Sequence, residues 1–109
     1  MVILEVKGDS EDFIPTFSNL DKKGQIFKDI SKVIQNLKKD KKVGVHLQRS
    51  KVPKYYIRKH DYNAYFKVSL PENWRLIYGI ISIHREKCAL IMEVFNHDDY
   101  NKRFGFKKK

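Results

Sequence analysis

The chain has 109 residues, of which 41% are hydrophobic and 13% aromatic, and its 23 Lys and Arg against 13 Asp and Glu give a net charge of +10. This length predicts one domain over residues 1–109, and the apolar fraction excludes a disordered chain. The positive charge favours a polyanion or an acidic protein as partner, although a solvated basic surface is the plainer alternative.

The single cysteine, Cys88, excludes an intrachain disulfide and is typical of a protein from the reducing cytoplasm. Cys88 begins an apolar strand and is expected to be buried and inert. No apolar run reaches membrane-spanning length, and the first residues lack the pattern of a signal peptide, so no membrane contact is expected. The histidines are scattered and the glycines isolated, so neither a metal nor another cofactor is expected.

The N-terminal half predicts a strand followed by a short helix. Residues 1–7 alternate weakly between apolar and polar and indicate a short strand that Gly8 ends. Asp9 or Ser10 can cap the helix, in which Pro15 is tolerated only in the first turn. The apolar residues expected to face the core are Phe13, Ile14 and Phe17.

A second, longer helix is predicted from Asp21 to Lys39. It carries an apolar stripe at helical spacing, formed by Ile26, Phe27, Ile30, Val33, Ile34 and Leu37. Lysines lie mostly off this stripe and crowd the C-terminal end, where cations suit the helix dipole. The stripe is therefore expected to cover one face of a sheet.

The stretch from Val45 to Tyr62 interleaves basic residues with tyrosines. The basic residues proposed to bind nucleic acid are Arg49, Lys51, Lys54, Arg58 and Lys59. Such mixing suits single-stranded nucleic acid, because cations contact phosphates and rings stack on bases. A loop or edge strand guarded by lysines against aggregation is an equal alternative. Pro53 marks a turn before a strand predicted at Lys54–Lys59.

Three strands are predicted in the second half of the chain, at Tyr65–Leu70, Trp74–Ile83 and Cys88–Phe95. β-branched and aromatic residues crowd these segments, and polar residues separate them. Because the connections are only three and four residues long, neighbouring strands should pair antiparallel. The predicted class is α+β, with two N-terminal helices packed on a twisted antiparallel β-sheet.

The polar cluster Asn96–Tyr100 follows the last predicted strand, a usual place for catalytic side chains on a rigid scaffold. Metal-free RNA cleavage, in which the 2′-hydroxyl attacks the adjacent phosphorus, needs a base, an acid and cations. Arg75 is the candidate for the cationic role, because a guanidinium early in an apolar strand needs an anion or a cleft. The alternative is a structural ion pair with Glu93 or Asp98.

Three further residues complete the predicted site. His97 is the acid–base candidate, since imidazole titrates near pH ~6.5, although a plain surface histidine is as compatible with its position. Tyr100 shares a face with His97 if a helical turn begins there, and it can donate a hydrogen bond or stack on a base. Lys67 supplies a second cation from the preceding strand. The pair Asp98–Asp99 repels phosphate unless it orients His97 or points away.

Two of these motifs resemble the RelE/ParE superfamily of bacterial and archaeal toxins. The segment Trp74–Tyr78, Trp-Arg-Leu-Ile-Tyr, resembles the aromatic-Arg-Leu-Ile/Val-Tyr strand of that superfamily, and Asn96–Tyr100 resembles its His-x-x-Tyr element after the last strand. The order of strand, two helices and antiparallel sheet is similar over most of the chain. The resemblance implies the toxin of a type II toxin–antitoxin pair, a metal-independent endoribonuclease that cuts messenger RNA in the ribosomal A site.

The resemblance also implies a partner, a small acidic antitoxin that wraps and neutralises the toxin. It gives the arginine matching Arg75 and the C-terminal His97 and Tyr100 catalytic roles. Two departures bear on activity: Asp98–Asp99 replaces the usual basic residue, and Ser69 stands where a second strand lysine is often found. ParE-like relatives share the fold but act on DNA gyrase without cutting RNA. The alternative is therefore a non-catalytic gyrase inhibitor, or an inactive toxin homologue acting as a binding module.

Overall fold

The computed structural model describes residues 3–105, which form one five-stranded sheet with helices on both faces. The strands are β1 (Ile3–Gly8), β2 (Val45–Leu47), β3 (Ala64–Ser69), β4 (Arg75–Ile83) and β5 (Glu86–Phe95). The helices are α1 (Ile14–Ser18), α2 (Gln25–Lys38), α3 (Lys54–Lys59) and α4 (His97–Phe104). None of these helices is long and apolar enough to cross a membrane.

The strand order across the sheet is β1-β5-β4-β3-β2. The hairpins β3–β4 and β4–β5 and the pair β2–β3 are antiparallel, as the short connections predict. The prediction of a purely antiparallel sheet is wrong, because β1 pairs parallel with β5. Short loops dictate direction only within their own hairpin, whereas most of the chain separates β1 from β5. The α+β class is confirmed, with a five-stranded mixed sheet and four α-helices among residues 3–105, of which the first two follow β1.

The three strands predicted at Tyr65–Leu70, Trp74–Ile83 and Cys88–Phe95 correspond closely to β3, β4 and β5. Residues Lys54–Lys59 form helix α3, so the predicted strand there is wrong. Within α3, Lys54 and Arg58, four residues apart, are both exposed, whereas Tyr56 is buried, which is the spacing of helical faces. Cys88 is half-buried instead of fully buried.

The predicted short helix is present as α1, and it begins later than its capping residue suggests. The Asp9 carboxylate accepts hydrogen bonds from the backbone N–H groups of Glu11 and Asp12, each at 2.8 Å. Phe13 is buried, whereas Ile14 is 42% exposed, so its predicted place in the core is wrong. The side chain of Ile14 lies on the outer side because the first helical turn starts at this residue.

The two faces of the sheet carry separate apolar cores. Helices α1 and α2 cover one face, where Ile30, Val33 and Leu37 of the predicted stripe are buried against it. Helices α3 and α4 cover the other face, over a core of Val52, Tyr56, Tyr65, Ile77, Leu90, Met92, Phe95 and Tyr100. Coverage of both faces explains the nearly continuous apolar runs in β4 and β5, since residues 76–80 and 89–95 are all buried.

Replacing Gly44 by alanine is expected to destabilise the fold by about 2–3 kcal/mol. Gly44 has φ +85°, and a Cβ atom there would collide with the backbone carbonyl oxygen of Lys67. Gly105 offers a matched control, because its φ is +75° but nothing lies within 4 Å of an added Cβ, so Gly105→Ala should cost only about 1 kcal/mol. Urea unfolding measures both, and equal losses would contradict this account.

Candidate functional site

A groove of about 750 Å³ lies between α3, α4 and the end of the sheet formed by β2 and β3, and we refer to it as the basic groove. Its cationic lining residues are Lys51, Lys54, Lys67, Lys102 and Arg103. The remaining walls include the apolar and aromatic residues Leu47, Val52, Pro53, Tyr55, Tyr100 and Phe104. No carboxylate belongs to this lining within the described residues. The groove therefore combines concentrated positive charge with rings, which suits a single-stranded nucleic acid.

The antiparallel register of β3 and β4 brings two of the predicted site residues together. Lys67 pairs with Ile77 and Arg75 pairs with Ser69, so both cations point to the face covered by α4. Tyr100 of α4 lies against them. Lys67 Nζ donates to Tyr100 Oη at 3.3 Å, and Lys67 Nζ and Arg75 Cζ each lie 5.6 Å from the Tyr100 ring centroid. Three of the four predicted catalytic residues thus converge.

The guanidinium of Arg75 forms no ion pair with a carboxylate in the part of the chain that the structure describes. Arg75 Nη1 donates to the carbonyl oxygen of Trp74 at 3.0 Å, and no ion pair among residues 3–105 includes Arg75. The alternative of a structural ion pair with Glu93 or Asp98 is not among the ion pairs of residues 3–105, and Glu93 instead accepts from Tyr56 and Arg103. A half-buried cation against an aromatic ring remains available to an anion.

His97 is the first residue of α4 and is exposed. Its imidazole contacts Asn101 in the next turn, with Nε2 at 3.2 Å from Asn101 Nδ2. In the part of the chain that the structure describes, no hydrogen bond or ring contact joins His97 to Lys67 or Arg75. The acid–base role of His97 therefore stays a prediction.

The two acids after His97 belong to the start of the helix. Asn96 caps α4 by accepting from the backbone N–H of Asp99 at 2.9 Å, and carboxylates in a first turn suit the positive end of the helix dipole. Neither Asp98 nor Asp99 belongs to the lining of the basic groove. Their repulsion of phosphate therefore acts outside the groove.

The five predicted nucleic-acid contacts separate into two groups. Lys51 and Lys54 line the basic groove. Arg49 instead pairs with Asp61 at 2.6 Å. Lys59 lies within 3.2 Å of carboxylate oxygens of Asp9, Glu11 and Asp12, and Arg58 is exposed outside the groove. Two of the five predicted cations therefore line the basic groove, and the other three do not.

Sequence reasoning missed Lys102 and Arg103, which complete the groove from α4. Arg103 is bound by Glu93, and this hydrogen bond raises the pKa of the guanidinium. Arg103 Cζ also lies 3.7 Å from the Tyr55 ring centroid. The available signal was spacing, since Arg103 follows Tyr100 by three residues and therefore shares its helical face.

A buried carboxylate ties the N-terminal turn to α3. Asp9 Oδ2 lies 2.7 Å from His60 Nε2, and Asp9 Oδ1 lies 3.2 Å from Lys59 Nζ. Burial acts to raise the pKa of Asp9, but the hydrogen bonds from His60, the backbone of Asp12 and Glu11, and Lys59 outweigh it and hold the pKa at about 2. These contacts fix the position of α3, and with it one wall of the groove.

Stability is expected to fall by about 2 kcal/mol as the pH drops from about 4 to 2, because of Asp9. A carboxylate whose pKa is lowered from 3.8 to about 2 by folding stabilises the protein above pH 3.8, and this contribution is lost as the pH falls through 2. Thermal unfolding across this range measures the loss. The variant Asp9→Asn should lack it, whereas Asp21→Asn, at an exposed carboxylate, should keep it. An unchanged profile in Asp9→Asn would contradict the assignment.

No three His, Cys, Asp or Glu side chains within residues 3–105 are grouped so as to hold a metal ion. Comparison of this chain with protein-family models, curated proteins and solved structures gave no match.

Proposed function

We propose that this chain is the toxin of a type II toxin–antitoxin pair and cuts ribosome-bound messenger RNA by RelE-type, metal-independent chemistry. The observation that supports this most is the convergence of Lys67 and Arg75 on Tyr100 beside the basic groove. Two cations near one ring, next to a groove without carboxylates, attract a phosphodiester and its stacked bases.

In the proposed reaction the RNA 2′-hydroxyl attacks the adjacent phosphorus, a 2′,3′-cyclic phosphate forms and the 5′-oxygen leaves. Arg75 holds two non-bridging oxygens through its planar guanidinium, and Lys67 supplies the second positive charge. Tyr100 is 6% exposed, with Phe95 and Phe104 against its ring, so its hydroxyl, oriented by the hydrogen bond from Lys67, is the group that donates to a phosphate oxygen. These groups stabilise charge that develops on phosphorus.

In this proposal the His97 imidazole takes the proton of the attacking 2′-hydroxyl and then gives it to the leaving 5′-oxygen, so no net proton is gained or lost. His97 is exposed at the start of α4, so a bound strand can reach its imidazole. Catalytic hydrogen bonds are often formed only in the substrate complex, which is compatible with the present contact between His97 and Asn101.

The chemistry of the cut ends tests the proposal. Purified protein added to ribosomes programmed with a defined message should release a 2′,3′-cyclic phosphate and a 5′-hydroxyl. A message with 2′-deoxy nucleotides at the mapped cut should stay intact, because the attacking oxygen is missing. A 5′-phosphate product, or an uncut message under conditions in which the protein arrests growth, would contradict the proposal.

A second candidate function is a non-catalytic, ParE-like inhibitor of DNA gyrase or an inactive toxin homologue. The observation that favours it is the outward position of His97, which contacts Asn101 and not the two converging cations. Inhibition of gyrase supercoiling by the purified protein, with messages left intact, would establish this alternative. In either function the partner is a small acidic antitoxin, and the +10 charge of the chain supports such a complex.

A further inference from the structure

We propose that Arg103 is a phosphate-binding residue of the basic groove and that Glu93 is its positioning residue. This inference rests on the proposed function and names a contact to RNA that it does not include. Arg103 lines the basic groove. It also borders a second cavity of about 350 Å³ beside Trp74, but Asp12, Glu93 and Asp99 line that cavity and repel phosphate, so the proposed contact lies on the side of the basic groove.

The guanidinium of Arg103 is fixed on one edge by Glu93. Arg103 Nε donates to Glu93 Oε1 at 2.9 Å, and Arg103 Nη2 donates to Glu93 Oε2 at 3.2 Å. The carboxylate is itself anchored, because Tyr56 Oη donates to Glu93 Oε1 at 2.6 Å. Glu93 is 9% exposed and Tyr56 is fully buried. The carboxylate therefore cannot rotate away without leaving a buried hydroxyl unpaired.

The flat face of the same guanidinium lies on the Tyr55 ring, with 3.7 Å between Arg103 Cζ and the ring centroid. Tyr55 is held in turn by a hydrogen bond from its hydroxyl to Asp12. Contacts on one edge and one face restrict both translation and rotation of the guanidinium. A side chain ordered in advance loses less entropy when it binds an anion.

The second edge of the Arg103 guanidinium, between Nη1 and Nη2, has no hydrogen-bond acceptor among the described residues. A guanidinium carries five N–H groups, and Glu93 takes one from Nε and one from Nη2. Within residues 3–105 no acceptor binds Nη1, and the Arg103 side chain is 28% exposed. Nη1 and the second proton of Nη2 form a two-nitrogen edge that matches two oxygens of a phosphate.

Replacing Glu93 distinguishes a positioning role from a simple effect of charge on RNA affinity. If Glu93 only neutralised Arg103, then its replacement by glutamine would remove a negative charge near the groove and tighten RNA binding. If Glu93 positions the guanidinium, then the same replacement loosens one edge and weakens binding although the net charge rises. The two accounts therefore predict opposite signs for one measurement.

The test is binding of the full chain to a single-stranded, 2′-O-methylated RNA oligonucleotide, followed by fluorescence anisotropy over a range of salt concentrations. Arg103→Ala should weaken binding about 10-fold and reduce the slope of log K against log salt by about 0.7, the value for one phosphate contact on a single strand. Arg103→Lys should keep the slope but bind about 5-fold more weakly, and Glu93→Gln should bind about 3-fold more weakly than the wild type.

The matched control is Arg58→Ala, which removes one exposed cation outside the groove. Thermal melts establish that each variant is folded at the temperature of the assay. If Arg103→Ala and Arg58→Ala have the same affinity and slope, or if Glu93→Gln binds more tightly than the wild type, then the inference is wrong while the proposed function stands. A wild-type chain that neither binds the oligonucleotide at low salt nor cuts ribosome-bound message overturns both.

Discussion

Replacing Arg75 by alanine is expected to lower the single-turnover rate of message cleavage by about 10²–10³-fold, because losing one preorganised donor to developing charge costs about 3–4 kcal/mol. Arg75 is half-buried against the Tyr100 ring and pairs with no carboxylate in the described chain. Its guanidinium is therefore free to stabilise the phosphorane-like charge. The measurement uses a saturating concentration of the protein on programmed ribosomes, so that the rate reports chemistry and not binding.

Two variants separate catalysis from charge and from folding. Arg75→Lys keeps the positive charge but loses the planar pair of donors, so its rate should lie between those of the wild type and Arg75→Ala. Arg58→Ala removes an equal charge from an exposed site outside the groove and should keep the rate within about twofold. A rate for Arg75→Ala close to that of Arg58→Ala would remove Arg75 from the mechanism.

The central strands were predictable because their signals are local. β3, β4 and β5 are dense in β-branched and aromatic residues and are separated by short polar connections, which dictates antiparallel hairpins. The parallel pairing of β1 with β5 depends on how the chain returns over residues 9–85. No local pattern in β1 records the direction of a neighbour so distant in sequence.

Helix α3 shows why six residues are too few for a reliable pattern. Tyr55, Tyr56 and Ile57 suit a strand by composition, and alternation cannot be told from helical spacing over such a length. In the structure the segment is helical, and Tyr56 is its one buried residue, packed under α3 on the sheet. Tertiary burial of one ring outweighs the strand propensity of its neighbours.

Helix α4 carried stronger signals than the ones used to predict a single helical turn. Asn96 caps it, Asp98 and Asp99 occupy its first turn, and Gly105 ends it with φ +75°. These are standard start and stop residues. A helix predicted to reach Phe104 would have placed Arg103 on the same face as Tyr100. It would therefore have indicated that α4 forms a wall of the basic groove.

The convergence of the site could be predicted only in part. The sequence predicted Arg75 and Lys67 as site residues, because each is a cation in or beside an apolar strand. Their common face depends on the register that pairs Arg75 with Ser69 and Lys67 with Ile77. A shift of one residue would place them on opposite faces, and composition does not record that register.

The variant Glu93→Leu is expected to destabilise the protein by about 3–5 kcal/mol, because Glu93 connects the sheet to both helices that border the groove. The carboxylate is buried on β5 and accepts from Tyr56 of α3 and Arg103 of α4. Burial and the nearby carboxylate raise the pKa of Tyr56, so the phenol stays protonated and donates. Leucine leaves that hydroxyl buried without an acceptor and releases the guanidinium. Urea unfolding at neutral pH measures the loss.

A double-mutant cycle assigns the loss to this network. Tyr56→Phe alone should cost about 1–1.5 kcal/mol, because Glu93 loses one hydrogen bond. In Glu93→Leu with Tyr56→Phe, both polar partners are gone, so the total should fall short of the sum by about 1–2 kcal/mol. The control Glu86→Leu, at an exposed position of β5, should change stability by less than about 1 kcal/mol. Additive losses would show that Tyr56 and Glu93 act independently and that their hydrogen bond does not help to hold α3 on the sheet.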